Sequence, residues 1–440
     1  MDKRTILIIC SIVYFIIIFS TEILYRQKLY DFSVEYIENI KQNVFFDYFN
    51  YFWSIIMPAC IVIAGLTISF LYFPINVAFS QLSIQLSLGF IMYLLKSIYC
   101  QSRPFWDIYL KKEEEKPETR LPDPIECENG FGNPSGHALS STYLLCLWDL
   151  LLNSHFFNKM EGKKKYSFKY ITLFLSIIGI VFICYSRVYR QVHSFNQIIF
   201  GSIIGVGVYF IYCHILNVNK INSEIFMKYL NKAQFILIPV MVILFIISVN
   251  FGLIMHNNKE EKYKNILIKY CNYNPNLMFG KDSALSSPMI FPIIGGYIGL
   301  LFLKYKIEKY NSIMRNVFYN WNQGDNLATL KIALFSFILP ILLPILVRIF
   351  VPYDYFILII ALYSLSFFIY GFLSFGLCFY YGCIWFNQKE MKQDNDQLII
   401  DDEEENNNDK ENDKENDKEN DRKNDKENDK ENDKDNENNV

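Results

Sequence analysis

The sequence predicts an all-α protein, a polytopic membrane helix bundle with about nine or ten spans. Apolar residues make up 52% of the chain and aromatic residues 17%, although the last forty residues contain almost none of either. The apolar residues also come in runs of about twenty, the length at which an α-helix crosses the hydrocarbon core of a bilayer. This concentration of apolar residues indicates many spans rather than several soluble domains.

Ten candidate spans follow one another along the chain. The first, over residues 5–24, follows Lys3 and Arg4 and is uniformly apolar. It is typical of a signal anchor or a cleaved signal peptide, and the anchor is favoured because no small-x-small cleavage site follows. The other nine occupy approximately residues 52–72, 78–99, 137–156, 170–187, 194–216, 234–255, 287–304, 330–350 and 355–384.

Counting the spans assigns each loop to one of two membrane faces. The loop between the fourth and fifth spans carries five lysines, from Lys159 to Lys169. Positively charged loops of this kind stay in the cytoplasm. We therefore expect loop 100–136 to lie on the opposite face, in the lumen or outside the cell.

The C-terminal tail is a low-complexity segment. From Asp409 it repeats Asp-Lys-Glu-Asn and contains almost nothing apolar to bury, so we expect it to be disordered. The predicted organisation has four parts. These are an N-terminal anchor and first loop (1–50), catalytic core spans (51–216), additional C-terminal spans (217–388) and the tail (389–440).

Charge and cysteine usage exclude some functions. The net charge is −3, and no basic stripe of the kind that binds nucleic acid is present. The ten cysteines show no CxxC pair and no zinc-ligand spacing, so we expect no metal site. Cys127 and Cys271 fall in two loops on one predicted face. They could form a disulfide if that face is oxidising, and otherwise they are two free thiols.

Three short clusters of cationic and imidazole residues lie at the mouths of spans on a single predicted face. They are Lys96-x6-Arg103-Pro104, Pro134-Ser135-Gly136-His137 and Ser186-Arg187-x5-His193. Cations at the end of a membrane span are costly unless they serve a function. The spacing of the first cluster predicts either two helical turns or a helix that ends at Pro104 and exits into a loop.

These residue types suit phosphoryl transfer. A phosphate monoester carries nearly two negative charges, and its transition state spreads charge over three equatorial oxygens. Lys96, Arg103 and Arg187 can supply the complementary charge without a metal, and the planar guanidinium fork grips two oxygens. Ser135 and Gly136 form a turn that opens the fourth span, where backbone N–H groups bind anions.

The two histidines of the clusters can divide the chemical work between them. In a site of this kind one neutral imidazole attacks phosphorus, and the other, protonated, gives its proton to the leaving oxygen. His137 stands on the first turn of the fourth span and His193 opens the sixth. The clusters therefore predict a phosphate site with a nucleophile and an acid beside it, and without a cofactor.

The three clusters resemble the type 2 phosphatidic acid phosphatase superfamily, whose pattern is KxxxxxxRP, PSGH and SRxxxxxHxxxD. The match extends over roughly residues 90–205. The resemblance implies a six-helix phosphatase core, no metal and a phosphohistidine intermediate. It implies that His193 is the nucleophile and that His137 is the general acid and later the base for water. The implied phosphate-binding residues are Lys96, Arg103, Ser135, Gly136 and Arg187.

One position departs from the superfamily pattern. Gln197 stands where most members have an aspartate that accepts the second ring N–H of the nucleophile. The Gln197 oxygen can accept that bond but supplies no negative charge. Glucose-6-phosphatases also carry glutamine there, and they share an aromatic-Trp pair and a Cys-Glu pair with this chain. Asp107 departs from that branch, which has a second tryptophan at this place, so sugar specificity is left open.

The resemblance to the glucose-6-phosphatase branch implies a metal-independent phosphoric monoester hydrolase of the endoplasmic reticulum membrane with a luminal active site. Its partners would be membrane lipids and a phosphate monoester. Gln197 and the span count favour a sugar phosphate as the substrate. The superfamily at large favours a lipid phosphate, such as phosphatidate or a sphingoid-base phosphate. The residues are also compatible with a phosphotransferase, a haloperoxidase or a non-catalytic membrane protein with a relic site, and the completeness of the motifs argues against a relic.

Overall fold

The computed structural model describes residues 3–40, 43–62, 65, 75–115, 126–155, 163–211, 238–251, 254, 260–272, 285–310, 326–351 and 356–386. Within these ranges the regular structure is helical and no strand occurs. The prediction of an all-α protein is confirmed. The helices are α1 Lys3–Glu38, α2 Val44–Tyr51, α3 Ile75–Tyr99, α4 Pro104–Glu115, α5 Gly136–His155, α6 Lys163–Tyr189, α7 Phe195–Phe210, α8 Ile238–Phe251, α9 Glu260–Cys271, α10 Phe291–Tyr310, α11 Asn326–Phe350, α12 Phe356–Phe372 and α13 Cys378–Phe386.

Apolar helices of membrane-spanning length form most of the bundle. Each of the ten predicted spans overlaps a helix. In the described part of the chain, six helical stretches are long and apolar enough to cross a bilayer. Large apolar side chains are exposed along α1 and α6, as a lipid-facing surface requires. The six stretches are Ile6–Glu38, Val44–Val62, Phe79–Glu115, Tyr166–Tyr189, Ser287–Lys306 and Phe356–Gly382.

Three short irregular turns lie within or beside these helices. A π-helical turn over Phe52–Ile56 continues α2, and another over Leu373–Leu377 joins α12 to α13. A 3-10 turn over Ser287–Ile290 leads into α10. The first π turn is relevant to function, because Ser54 lies in it and is fully buried against the motif residues.

The structure corrects the expected role of Pro104. Helix α3 ends at Tyr99, and Pro104 is the first residue of α4 rather than the residue that ends a helix. Proline suits the first helical turn because its missing N–H would have no partner there. The turn between the two helices places Arg103 at the start of α4, and Cys100 in this turn has a φ of 44°.

Close packing of α5 against α7 brings two of the motifs together. A Cβ on Gly201 would lie 2.5 Å from the carbonyl oxygen of Ser135, and one on Gly205 would lie 2.6 Å from that of Leu139. Only residues without a side chain permit backbones to approach so closely. The turn that carries Ser135 and Gly136 is therefore held beside the N-terminal half of α7.

Helix α1 is part of the same bundle and packs along α7. The Tyr14 hydroxyl donates to the carbonyl oxygen of Ile203 at 2.8 Å, and the backbone N–H of Phe195 donates to Ser33 Oγ at 2.9 Å. The first predicted span thus supports the helix that follows His193.

The chain divides into two units, Met1–Cys383 and Ile384–Val440. The first unit contains the helices described above up to the middle of α13. The predicted disordered tail over residues 389–440 and the first part of the lysine-rich loop, residues 156–162, lie outside the described residues.

Candidate active site

The three sequence motifs meet around one cavity of about 1000 Å³. Lys96 and Arg103 from the first motif, Gly136 and His137 from the second, and His193 from the third all line it. The structure therefore brings the candidate nucleophile, the candidate acid and two cations to a single space, as the order of the motifs predicts.

His193 lies in the loop between α6 and α7, and only 1% of it is exposed. Its Nδ1 is 3.1 Å from Gln197 Oε1, and its Nε2 is 3.4 Å from Arg103 Nη1. A guanidinium can only donate hydrogen bonds, so Nε2 is the acceptor and Nδ1 carries the proton. In this tautomer the lone pair of Nε2 is the one available to an electrophile.

Gln197 is itself held in one orientation. Its Nε2 donates to the carbonyl oxygen of Ser102 at 2.9 Å, which leaves Oε1 for the His193 ring and for the backbone N–H of Ser194. A Cβ on Gly132 would lie 2.5 Å from the Gln197 amide, so the glycine makes room for it. Gln197 thus occupies the place that the superfamily pattern gives to an aspartate.

Burial lowers the pKa of His193 well below its ordinary value, and the positive charges of Arg103, Arg187 and Lys96 lower it further. The hydrogen bond to Gln197 raises this pKa only in part. Burial and neighbouring cations both disfavour the imidazolium form. His193 is therefore neutral at physiological pH, as a nucleophile must be.

Replacing Gln197 by glutamate is expected to move the acid limb of the kcat/KM profile to higher pH. A carboxylate beside Nδ1 stabilises imidazolium, so the neutral nucleophile is lost earlier as the pH falls. Gln197→Leu removes the acceptor, so we expect the opposite shift together with a lower kcat. The measurement is the pH profile of phosphate release by the three proteins, and identical acid limbs would show that His193 does not govern them.

Arg103 is buried, and several partners fix its guanidinium. Its Nε donates to the carbonyl oxygen of Gly130 at 2.6 Å, and its Nη1 donates to that of Val192 at 2.9 Å. Its Nη2 pairs with Glu128 Oε2 at 2.6 Å. These contacts aim one edge of the guanidinium at the position beside His193.

Arg187 is fully buried and is not one of the residues that line the cavity. Its Nη1 donates to Ser54 Oγ at 2.5 Å and to Glu126 Oε1 at 2.9 Å, and its Nη2 pairs with Glu128. Within the described residues its Nε has no hydrogen-bond partner. A buried donor without a partner is costly, and an oxygen of a bound anion would satisfy it.

Lys96 lies in the last turn of α3 with 6% of its surface exposed. Its ammonium group is 5.5 Å from the centre of the Tyr93 ring, and among the described residues no carboxylate pairs with it. Since it lines the cavity, this ammonium group is available to an anionic ligand.

The turn of the second motif is anchored from two sides. The Ser135 N–H donates to the carbonyl oxygen of Gln197 at 3.0 Å, and the Asn133 side chain donates to Glu22 Oε1 at 2.9 Å. Glu22 is buried in α1 and also pairs with Arg26 at 3.1 Å. Helix α5 begins at Gly136, so Ser135 occupies its N-cap position.

Two carboxylates at the site were not singled out as functional from the sequence. Glu126 pairs with Arg187 and Arg190, and Glu128 pairs with Arg103 and Arg187. Burial raises the pKa of Glu126, but Arg187 and Arg190 outweigh it, and the net pKa lies below the ordinary value. The signal available in the sequence was the alternation Glu-Cys-Glu just before the second motif.

A disulfide holds this acidic segment in place. Cys127, between the two glutamates, is bonded to Cys271 at the end of α9, with 5.6 Å between the Cα atoms. The sequence is compatible with a disulfide or with two free thiols, and the structure has the disulfide.

Asp107, which departs from the glucose-6-phosphatase pattern, does not line the cavity. Its carboxylate accepts hydrogen bonds from Tyr30 at 2.5 Å, Ser102 at 2.6 Å and Tyr263 at 2.7 Å. It therefore joins α1 and α9 to α4, and this departure changes the packing around the site rather than the wall of the cavity.

Residues 77–221 match the model of the PAP2 superfamily. Glucose-6-phosphatase 2 of Homo sapiens is 28% identical over 157 residues, which are 32% of this chain and 43% of that protein. Glucose-6-phosphatase catalytic subunit 1 of Haplochromis nubilus is 34% identical over 119 residues, covering 26% and 34% of the two chains. The same subunit of Haplochromis xenognathus is 36% identical over 110 residues, covering 24% and 39%.

The chain thus spans less than half the length of these curated relatives. No solved structure matches it. The matched region includes all three motifs and the cavity wall that they form. Over this region the chain is similar to the PAP2 superfamily, and the curated relatives that match it are glucose-6-phosphatases by name.

Proposed function

We propose that this protein is an integral membrane phosphomonoesterase that acts through a phosphohistidine intermediate. The observation that carries the proposal is the meeting of His193 and His137 with Lys96 and Arg103 around one cavity. The Nε2 of His193 lies within 3.4 Å of the Arg103 guanidinium, so a phosphate held by that guanidinium would adjoin the nucleophile.

In the first half of the reaction, the phosphate of the substrate binds Lys96, Arg103 and Arg187. The Nε2 lone pair of His193 forms a bond to phosphorus as the bond from phosphorus to the ester oxygen breaks. His137 gives its proton to that oxygen, and the alcohol leaves. The Nδ1 proton, bonded to Gln197, helps to hold the positively charged ring.

In the second half, water attacks the phosphohistidine. His137 accepts a proton from the water, the bond between phosphorus and Nε2 breaks, and inorganic phosphate is formed. The two histidines thereby return to their starting states, so one protonatable group serves both halves. The Ser135–Gly136 turn and the side chains of Lys96 and Arg187 would hold the phosphate throughout.

We propose that the site faces the lumen of the endoplasmic reticulum. The Cys127–Cys271 disulfide supports an oxidising compartment on this face, because cytosolic thiols are kept reduced. This support is independent of the lysine-rich loop that led to the same assignment.

A sugar phosphate is the first candidate substrate. The curated relatives are glucose-6-phosphatases by name. The resemblance of the motifs also gives that branch a glutamine at the position of Gln197. Ser140, Ser141 and Gln85 line the cavity and could bond to sugar hydroxyls.

A lipid phosphate is the second candidate, and the length of the cavity favours it. Along α3 the wall runs from Lys96 to Gln85, which is about 16 Å of helix. Part of the lining is apolar and suits an alkyl chain rather than a sugar ring. It includes Ile55, Pro58, Ala59, Ile61, Val62 and Leu144.

Phosphate release by the purified protein in detergent tests the proposal. The substrates are glucose 6-phosphate, phosphatidate and a long-chain sphingoid phosphate, with EDTA present and His193→Ala as the blank. Release from the sugar phosphate alone supports the first candidate, and release from the lipids supports the second. Absence of release above the blank from all three would contradict a phosphomonoesterase, and loss of activity with EDTA would contradict metal independence.

A further inference from the structure

The Glu128 carboxylate bridges the two guanidinium groups assigned to the phosphate. Its Oε2 lies 2.6 Å from Arg103 Nη2, and its Oε1 pairs with Arg187 Nη2. The side chains of both arginines are at most 1% exposed, whereas that of Glu128 is 25% exposed. The carboxylate thus reaches inward from the cavity to two buried cations.

This carboxylate stands where a phosphate has to bind. Glu128 lines the same cavity as Lys96, His137 and His193. The Arg103 guanidinium, with which Glu128 pairs, also lies beside His193, the proposed nucleophile. Carboxylate and phosphate use the same bidentate geometry on arginine, so they compete for these nitrogens.

We propose that Glu128 is a resident anion that substrate phosphate must displace and that re-pairs with Arg103 and Arg187 when inorganic phosphate leaves. The proposal rests on the phosphate site of the proposed function. A buried guanidinium group without a counter-ion is unfavourable. Between turnovers Glu128 supplies the carboxylate that pairs with Arg103, and it adds a second one beside Arg187. The apparent affinity for phosphate is then the intrinsic affinity multiplied by the fraction of molecules in which Glu128 has moved away from the arginines.

Glu126 has a different role, although it contacts the same arginine. It pairs with Arg187 Nη1 and with Arg190, and it is not part of the cavity wall. It serves as a fixed counter-ion that holds Arg187 in place. The Cys127–Cys271 disulfide anchors the backbone beside Glu128, so we expect its displacement to occur by rotation of the side chain.

Calorimetric titration of the full chain in detergent with inorganic phosphate tests this inference. The proteins are the wild type, Glu128→Gln and Glu126→Gln, which each lose one negative charge beside Arg187 and keep the length of the side chain. We expect Glu128→Gln to bind phosphate at least about tenfold more tightly than the wild type, because its competitor is neutral. We expect no tightening in Glu126→Gln, because it removes a support of Arg187 and no occupant of the cavity.

Unchanged or weaker phosphate binding in Glu128→Gln would overturn the inference. Equal tightening in both variants would also overturn it, since that result shows a general effect of charge. If Glu128→Gln does not fold, Glu128→Asp takes its place, because its shorter side chain is expected to bridge both arginines poorly and to tighten phosphate binding. Phosphate binding without turnover of any substrate would contradict the proposed function alone, and no phosphate binding by any of the proteins would overturn both.

Discussion

Replacement of His193 by alanine is expected to abolish phosphate release and to leave the protein folded in the membrane. In the proposed mechanism the imidazole supplies the nucleophilic Nε2, which lies beside the Arg103 guanidinium. Loss of a nucleophile of this kind lowers kcat by about 10⁴-fold or more. The measurement is steady-state phosphate release, with thermal unfolding as the check on folding.

The matched control is His155→Ala. His155 is the last residue of α5, which begins at Gly136, so it lies about 28 Å along the helix from the motif turn. We expect this variant to keep its activity. A His193→Ala protein with near-normal turnover would exclude His193 as the nucleophile. Acid-labile phosphate bound to the wild type but absent from His193→Ala would support the intermediate directly.

Replacement of His137 by alanine is expected to slow the hydrolysis of alkyl phosphates much more than that of nitrophenyl phosphate. General acid catalysis contributes about 10²–10⁴-fold, and a good leaving group needs little of it. The measurement is kcat/KM for both ester types in the wild type and the variant. Equal losses on the two esters would indicate that His137 positions the phosphate instead.

The same variant gives a second readout. His137 also serves as the base for the attacking water in the proposed mechanism, so the phosphohistidine should accumulate in His137→Ala when the ester is activated. A rapid burst of nitrophenol followed by slow turnover is therefore expected. A variant without a burst, in which both steps slow equally, would argue against this second role.

Local patterns in the sequence were sufficient to predict the fold class. Runs of about twenty apolar residues predict spans because bilayer thickness sets helix length, and each predicted span overlaps a helix. The three motifs fall at the ends of helices on one face, so the number of spans between them predicts that they meet. The pairing of Gln197 with His193 was also predicted, but for a different reason. The spacing of four suggested one helix face, whereas His193 lies in the loop just before α7.

Contacts between distant segments were decided only by the tertiary structure. Glu126 lies 61 residues from Arg187, and Asn133 lies 111 residues from Glu22. No periodicity specifies such partners, because they depend on how the loops close and how the helices pack. Pro104 illustrates the same limit locally, since proline is compatible with the end of one helix and with the start of the next.

Residue types were enough to predict the chemistry that the site can hold: two histidines, three cations and a glycine turn at the ends of spans. The packed structure was needed to show that Glu128 pairs with two of those cations and that Asp107 lies outside the cavity. The physical reason is that residue types fix charge and reactivity. Which charges neutralise one another, and which remain for a ligand, depends on distances that arise when the whole bundle is packed.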